Sequence, residues 1–146
     1  PLSHLDPLGT LVILVTGAFG WGKPAPFDPY NLADPRRDTA LIALAGPASN
    51  ILIAILFALI MRVTHIDNLS LLNILVYLIR LNVGLAIFNL LPVPPLDGSK
   101  IIGLFLSNEN ALRLRSSNNI IFLLLLLPFA SSIISPIVNM IVSWLI

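Results

Sequence analysis

The residues whose types and spacing are best suited to chemistry lie in one segment, Asn89-Leu-Leu-Pro-Val-Pro-Pro-Leu-Asp97-Gly98. Its prolines at positions 92, 94 and 95 break the helix that enters it, because proline lacks a backbone donor. Asp97 is thereby predicted to lie beside broken backbone at the boundary of an apolar run. A carboxylate there suits a cation, and zinc readily accepts an aspartate oxygen. The alternative is that Asp97 only caps a short helix over residues 98–106, since aspartate is a favoured N-cap residue.

A second polar group interrupts an apolar run at Gly46-Pro-Ala-Ser-Asn50. Gly46, Ala48 and Ser49 are small, and small residues let membrane helices approach closely. The favoured interpretation is helix packing in which Asn50 makes one interhelical hydrogen bond. A functional role for Asn50 is the alternative, because a polar group at membrane depth is costly.

Three other polar features have simpler interpretations. Arg80 interrupts an apolar run, and we expect it to reach the membrane surface or pair with a carboxylate rather than contact a substrate. His4 and Asp6 are two residues apart and would share one face of a strand, where a local hydrogen bond is favoured over a metal site. His65 lies in a short polar segment and is expected to be solvated.

Composition excludes a soluble domain. Of the 146 residues, 57% are hydrophobic and 10% are charged, and the mean hydropathy is +0.95. Soluble domains carry about 25% charged residues. The net charge of +1 argues against nucleic-acid binding. The absence of cysteine excludes disulfides, thiolate zinc sites and cysteine nucleophiles within this sequence.

Long apolar runs predict a polytopic, all-α transmembrane bundle, since about 20 apolar residues span the hydrocarbon. Residues 39–61 are uncharged, and residues 71–91 contain only Arg80. Residues 116–146 form a third uncharged run with Pro128 and Pro136 inside it, for which a bent helix is favoured over a shallow hairpin. Residues 8–19 are apolar but short, and they predict a short or re-entrant helix.

The connecting segments predict an ordered loop and an orientation. Five prolines between positions 24 and 35 forbid a continuous helix, so residues 20–38 are expected to form an ordered loop or extended segment. Lys and Arg are frequent before the first long run and after the second, and only Arg62 lies between the two runs. Because cytoplasmic loops are enriched in Lys and Arg, residues 92–118 are predicted to face the cytoplasm of a multi-pass cell-membrane protein.

The Asn89–Gly98 string resembles the third-helix signature of the site-2 proteases, the intramembrane zinc metalloproteases of peptidase family M50. The Gly46-Pro-Ala-Ser-Asn50 string is similar to the motif in the preceding helix of that family. Residues 4–10 and 20–26 resemble its small prokaryotic members, which lack a PDZ domain. The resemblance covers residues 1 to about 115, and the order of the two motifs makes it specific.

This resemblance implies that Asp97 is a Zn2+ ligand, that Asn89 orients the substrate or the developing oxyanion, and that Asn50 lies near the same site. The implied substrate is a membrane-embedded protein, cleaved in or near its transmembrane segments within the lipid bilayer. The family's first helix carries His-Glu-x-x-His, in which two histidines bind zinc and the glutamate is the general base. No such string occurs here, and the only glutamate is Glu109.

Residues 1–146 are therefore expected to form a partial intramembrane metalloprotease domain. The chain begins at Pro1, which indicates an N-terminal truncation and an incomplete zinc site that is inactive by itself. The alternative is a non-catalytic membrane protein, either a degenerate relative that binds client proteins or a transporter with broken helices. A transporter of that kind should show repeated half-structures, and the sequence has no internal repeat.

Overall fold

A computed structural model describes residues 32–64, 66–116 and 120–146, and every regular element among them is a helix. These helices are α1 (Pro35–Val63), α2 (Leu69–Asn89), α3 (Asp97–Ile102), α4 (Asn108–Ser116) and α5 (Ile120–Leu145). The predicted all-α class is confirmed. The predictions for His4, Asp6, residues 8–19, most of residues 20–38 and His65 lie outside the described residues.

Helix α1 begins earlier than the apolar run alone predicted. Asp34 is its N-cap, and Asp34 Oδ1 accepts hydrogen bonds from the backbone N–H groups of Arg36 (3.2 Å) and Arg37 (3.1 Å). The backbone N–H of Asp34 donates in turn to Asp38 Oδ2 at 3.1 Å. Pro35 occupies the first turn, where its missing N–H costs no helical hydrogen bond. The predicted loop boundary at residue 38 was therefore wrong, because residues 35–38 are helical.

Within the described residues, two helices are long and apolar enough to span a membrane. They are α1, with 29 residues, and α2, with 21 residues. Helix α2 ends at Asn89, as the prolines that follow it predicted. Residues 120–145 form one helix with Pro128 and Pro136 inside it, so the shallow hairpin is excluded. The apolar helix Ser132–Leu145 is shorter than a span by itself, and a third membrane span stays a prediction.

The core forms where α1, α2 and α5 meet, with α2 between the other two. Each helix contributes a pair of buried residues one turn apart: Ala54 and Ala58, Ile79 and Val83, Val138 and Val142. Residues four apart lie on the same face of a helix, so each pair presents one narrow stripe to the others. Small residues on α1 let its backbone come close to α2, as expected for helices packed in a membrane.

Long-range hydrogen bonds define the two ends of this bundle. At one end, Arg36 Nη2 donates to the backbone carbonyls of Gly103 (2.7 Å) and Leu106 (2.6 Å). At the other end, Arg62 Nη2 donates to the carbonyl of Trp144 at 3.3 Å. The start of α1 therefore lies beside the end of α3, and the end of α1 lies beside the end of α5.

Candidate metal site at the start of α3

Tight turns lead the chain from the end of α2 into α3. The backbone N–H of Val93 donates to the carbonyl of Leu91 at 2.8 Å, and that of Leu96 donates to Val93 at 2.9 Å. The Pro94–Pro95 peptide bond is cis. Local hydrogen bonds therefore satisfy part of the backbone in this proline-rich segment. Unpaired backbone groups at membrane depth would be costly.

Gly98 allows α3 to start directly against the end of α2. A Cβ atom at position 98 would overlap the backbone carbonyl groups of Leu90 and Leu91. Gly98 is buried, and Ser99 beside it is buried with its Oγ donating to the Leu96 carbonyl at 2.7 Å. The start of α3 is thus fixed by backbone contact, and this fixes the position of Asp97.

Asp97 is the first residue of α3, and its two carboxylate oxygens have different surroundings. Oδ1 accepts a hydrogen bond from Lys100 Nζ at 2.7 Å, three residues along the same helix. The N-cap residue is Leu96, which makes no side-chain capping bond. The alternative that Asp97 only caps this helix was therefore wrong, and the helix covers residues 97–102 rather than 98–106.

The second oxygen, Asp97 Oδ2, faces α1 at Gly46. A Cβ atom built on Gly46 would lie 3.4 Å from Oδ2. Glycine thus leaves free the space that a larger side chain would fill beside the carboxylate. Gly46 also precedes Pro47, where a residue with a Cβ is disfavoured in a helix. The two sequence motifs, which are about fifty residues apart in the chain, meet at this contact.

The other residues of the α1 motif lie partly inside the helix bundle and partly on its outer surface. Pro47 is fully buried and packs inside the bundle. Ala48 and Ser49 are exposed, and Ser49 Oγ donates back to the Gly46 carbonyl at 2.7 Å. Of the three small residues predicted to bring helices together, Ala48 and Ser49 therefore lie on the outer side of α1, away from the interface between the described helices.

Asn50 lies one turn after Gly46 and is partly buried. The predicted interhelical hydrogen bond is not found, since its side chain makes no hydrogen bond within the part of the chain that the structure describes. Its amide therefore keeps unused donors and an acceptor one helical turn from the residue that faces Asp97. The proposed functional role of Asn50 stays a prediction.

Asn89 is the last residue of α2 and is also partly buried. Among residues 32–64, 66–116 and 120–146, its side chain has no hydrogen-bond partner. Asn82 differs, because its Nδ2 donates to the Leu78 carbonyl of its own helix at 2.8 Å. Arg80 is exposed, and the one ion pair between described residues joins Lys100 to Asp97. Of the two alternatives predicted for Arg80, the carboxylate partner is thus not found among the described residues, and reaching the membrane surface stays a prediction.

The described residues supply one carboxylate ligand rather than a complete metal site. They contain no group of three or more His, Cys, Asp or Glu side chains that could hold a metal. Asp97 Oδ2, with open space beside Gly46, is chemically suited to be one ligand of a zinc ion. The two histidines of the sequence, His4 and His65, lie outside the described residues.

Sequence reasoning assigned no structural role to three residues that shape this site, Lys100, Gly98 and Arg36. Lys100 could have been found from its spacing, because an acid and a base three residues apart on a helix can pair. The need for glycine at position 98 could have been inferred from the helix break before it, because glycine allows a close approach of the backbone. The contacts of Arg36 with Gly103 and Leu106 had no local signal, since they join residues almost seventy positions apart.

The chain is similar in sequence to members of one peptidase family. Residues 63–130 match the model of peptidase family M50. The chain is 39% identical over 110 residues to a Bacillus subtilis (strain 168) protein named "Putative zinc metalloprotease YwhC", covering 70% of the chain and 50% of that protein. It is 35% identical over 95 residues to "Putative zinc metalloprotease MJ0611" of Methanocaldococcus jannaschii, covering 65% of the chain and 49% of that protein. The chain thus spans about half the length of these curated relatives. No solved structure matches it significantly.

Proposed function

Because this chain belongs to the site-2 protease family, peptidase family M50, we propose that the full-length protein is an intramembrane zinc metalloprotease. Its substrates are membrane-embedded proteins, which it hydrolyses at peptide bonds in or near their transmembrane segments. The observation that carries this proposal is the contact between the two motifs, where Asp97 Oδ2 faces the bare backbone of Gly46. A free carboxylate oxygen is thereby held against an apolar helix.

The position of Gly46 along α1 supports an intramembrane site. Gly46 lies ten residues after Arg36, which corresponds to about 15 Å at about 1.5 Å of rise per residue. Arg62 lies sixteen residues further on, or about 24 Å. A bilayer is about 40–45 Å thick including its headgroup regions, with about 30 Å of hydrocarbon. If the two arginines lie at the two interfaces, Asp97 Oδ2 is at membrane depth, where a charged group indicates function.

The residues of this chain have separate roles in the proposed reaction. Asp97 would hold a zinc ion, together with the two histidines of a His-Glu-x-x-His segment of the full-length protein. Zinc, when bound, acts as a Lewis acid that activates water and polarises the scissile carbonyl. Asn89 orients the substrate or donates to the oxyanion, and one such donor is worth about 3 kcal/mol. Asn50 has an amide free to bind substrate backbone near the same place.

The charges at the two ends support a membrane orientation. Arg36 bonds to Gly103 and Leu106, so the basic start of α1 lies at the same end as residues 103–106. We therefore place residues 92–118 at the cytoplasmic side of a multi-pass cell-membrane protein, with Asp97 where this segment reaches into the membrane. The opposite end carries Arg62 beside the exposed Trp144, and tryptophan is enriched at membrane interfaces.

Replacement of the proposed ligand tests this function. Asp97→Asn keeps the size of the side chain but removes its charge. We expect the full-length protein to lose most of its zinc, measured by atomic absorption after purification in detergent. We also expect cleavage of a transmembrane model substrate to fall at least about 100-fold, because loss of the metal removes the activated water. Asp67→Asn is the matched control, since Asp67 is exposed and lies in the segment between α1 and α2.

Two results would contradict the proposal. Unchanged zinc content and cleavage in Asp97→Asn would show that the ligand assignment is wrong. A wild-type protein that holds no zinc and cleaves no substrate would favour the non-catalytic alternative, a client-binding or transporting membrane protein.

A further inference from the structure

The contact between Lys100 and Asp97 is not explained by metal binding alone. Lys100 Nζ lies 2.7 Å from Asp97 Oδ1, so the carboxylate proposed as a ligand already has a cationic partner. We propose that Lys100 is a positioning residue for Asp97. Its ammonium occupies Oδ1 and leaves Oδ2 as the single oxygen presented to the metal beside Gly46. This inference rests on the proposed function and specifies how the Asp97 ligand is oriented.

Contacts around α3 fix its backbone, so that the bond from Lys100 can set the orientation of the Asp97 carboxylate. Lys100 and Asp97 are three residues apart on one helix. Gly98 packs on the Leu90 carbonyl at the start of that helix, and Arg36 bonds to the Gly103 carbonyl just after its end. Because the backbone of α3 is held at both ends, the Asp97 carboxylate can move mainly by rotation about its own side-chain bonds. A charge-assisted hydrogen bond to Oδ1 restricts that rotation.

The exposure of the Lys100 and Asp97 side chains indicates that their ion pair positions Asp97 rather than stabilising the fold. The side chains of Lys100 and Asp97 are 35% and 28% exposed. Neither side chain is buried in the core, and the pair joins two residues of one short helix rather than two different helices. Loss of the ammonium is therefore expected to leave the fold intact and to act on the metal.

The opposite possibility is that Lys100 competes with the metal for Asp97. In that case the ion pair must break before zinc binds, and removing the lysine would strengthen binding. The two interpretations predict changes of opposite sign in one measurable quantity, the zinc dissociation constant. Hydrogen-bonded partners of ligating carboxylates typically change metal affinity by about 10–100-fold when they are replaced.

The test uses the full-length protein in detergent, with zinc affinity measured by chelator competition. We expect Lys100→Met to weaken zinc binding by about 10-fold. Its Co2+-substituted form should show an altered visible absorption spectrum. Lys100→Arg should restore most of the affinity, because a guanidinium also donates to a carboxylate. Arg37→Met is the matched control, since it removes one exposed positive charge from the same end of the bundle.

The outcomes separate this inference from the proposed function. If Asp97→Asn loses zinc while Lys100→Met binds it as tightly as wild type, or more tightly, the positioning role is overturned and the ligand assignment stands. If wild type binds no zinc, or Asp97→Asn binds it normally, the proposed function fails and the inference fails with it. Unchanged thermal unfolding midpoints in the Lys100 variants exclude loss of the fold as the cause of weaker binding.

Discussion

Glycines decide how closely the two motifs approach each other. Gly98 brings the start of α3 onto the backbone at the end of α2, and Gly46 leaves space on α1 for the Asp97 carboxylate. In both places the neighbouring group is a backbone or carboxylate oxygen. A Cβ atom at position 98 would push the start of α3 away from α2, and a side chain larger than alanine at position 46 would compete with Asp97 for the space beside α1. The ligand position therefore depends on residues that carry no chemistry themselves.

Gly98→Ala should disrupt this arrangement. Its Cβ would overlap the Leu90 carbonyl, and backbone is less able to move than a flexible side chain. We expect the free energy of unfolding to fall by at least about 3 kcal/mol, at the upper end of typical overpacking costs. Denaturant titration in detergent, followed by circular dichroism, measures this change.

Gly84→Ala provides the control for a glycine-to-alanine change. Its Cβ would lie 3.9 Å from Val138 Cγ2, an ordinary van der Waals distance. Because glycine inside a helix is less favourable than alanine by about 0.5–1 kcal/mol, this variant should be neutral or slightly more stable. Equal losses of stability in the two variants would show that the contact of Gly98 with α2 is not the cause.

At the scale of elements, α3 is a six-residue helix that cannot be stable by itself. Its start is held by Gly98 against α2, and the turn that follows it is held by Arg36. The guanidinium of Arg36 bonds to the carbonyls of Gly103 and Leu106, which follow the end of the helix. The helix that carries Asp97 is therefore held in place by tertiary contacts from α1 and α2.

Arg36→Met should release the end of α3. Hydrogen bonds to charged groups are worth about 1.5–3 kcal/mol each, so we expect a loss of about 2 kcal/mol in unfolding free energy. Amide hydrogen exchange should also speed up across residues 97–106. Arg37→Met is expected to stay within about 0.5 kcal/mol of wild type, because the Arg37 side chain is exposed. Equal exchange rates in Arg36→Met and wild type would contradict this role.

At the scale of the whole molecule, the contacts place chemically different groups at the two ends of α1. One end has Arg36 with residues 103–106, and the other has Arg62 with Trp144. Helix α1 is 29 residues long, which is enough to separate these ends by the thickness of a bilayer. The two ends of the bundle can therefore be distinguished, and a labelling experiment can determine which side of the membrane each end faces.

The proposed orientation predicts opposite accessibility for two single-cysteine variants. These 146 residues contain no cysteine, so each introduced thiol gives an unambiguous labelled peptide. In intact cells, Asp67→Cys should react with a membrane-impermeant maleimide, whereas Ser107→Cys should react only after permeabilisation. Both positions are exposed, so burial does not limit labelling. Mass spectrometry measures the result, and labelling of both from outside would overturn the orientation.

Several features of this protein are determined by local sequence. The prolines after Asn89 end α2, the capping residue Asp34 and Pro35 start α1, and long uncharged runs produce the apolar helices. The two motifs also identified the family before any contact was known. Each of these depends on neighbouring residues, because helix ends and membrane hydropathy are set within a few turns of the chain.

Only the tertiary structure decided how the candidate site is assembled. It placed Asp97 Oδ2 beside Gly46, turned Ala48 and Ser49 outward, and gave Asn50 no interhelical partner among the described residues. These facts depend on the register of α1 against α2 and α3, which the packing of buried stripes sets. That register joins residues fifty or more positions apart, so no local pattern could have specified it.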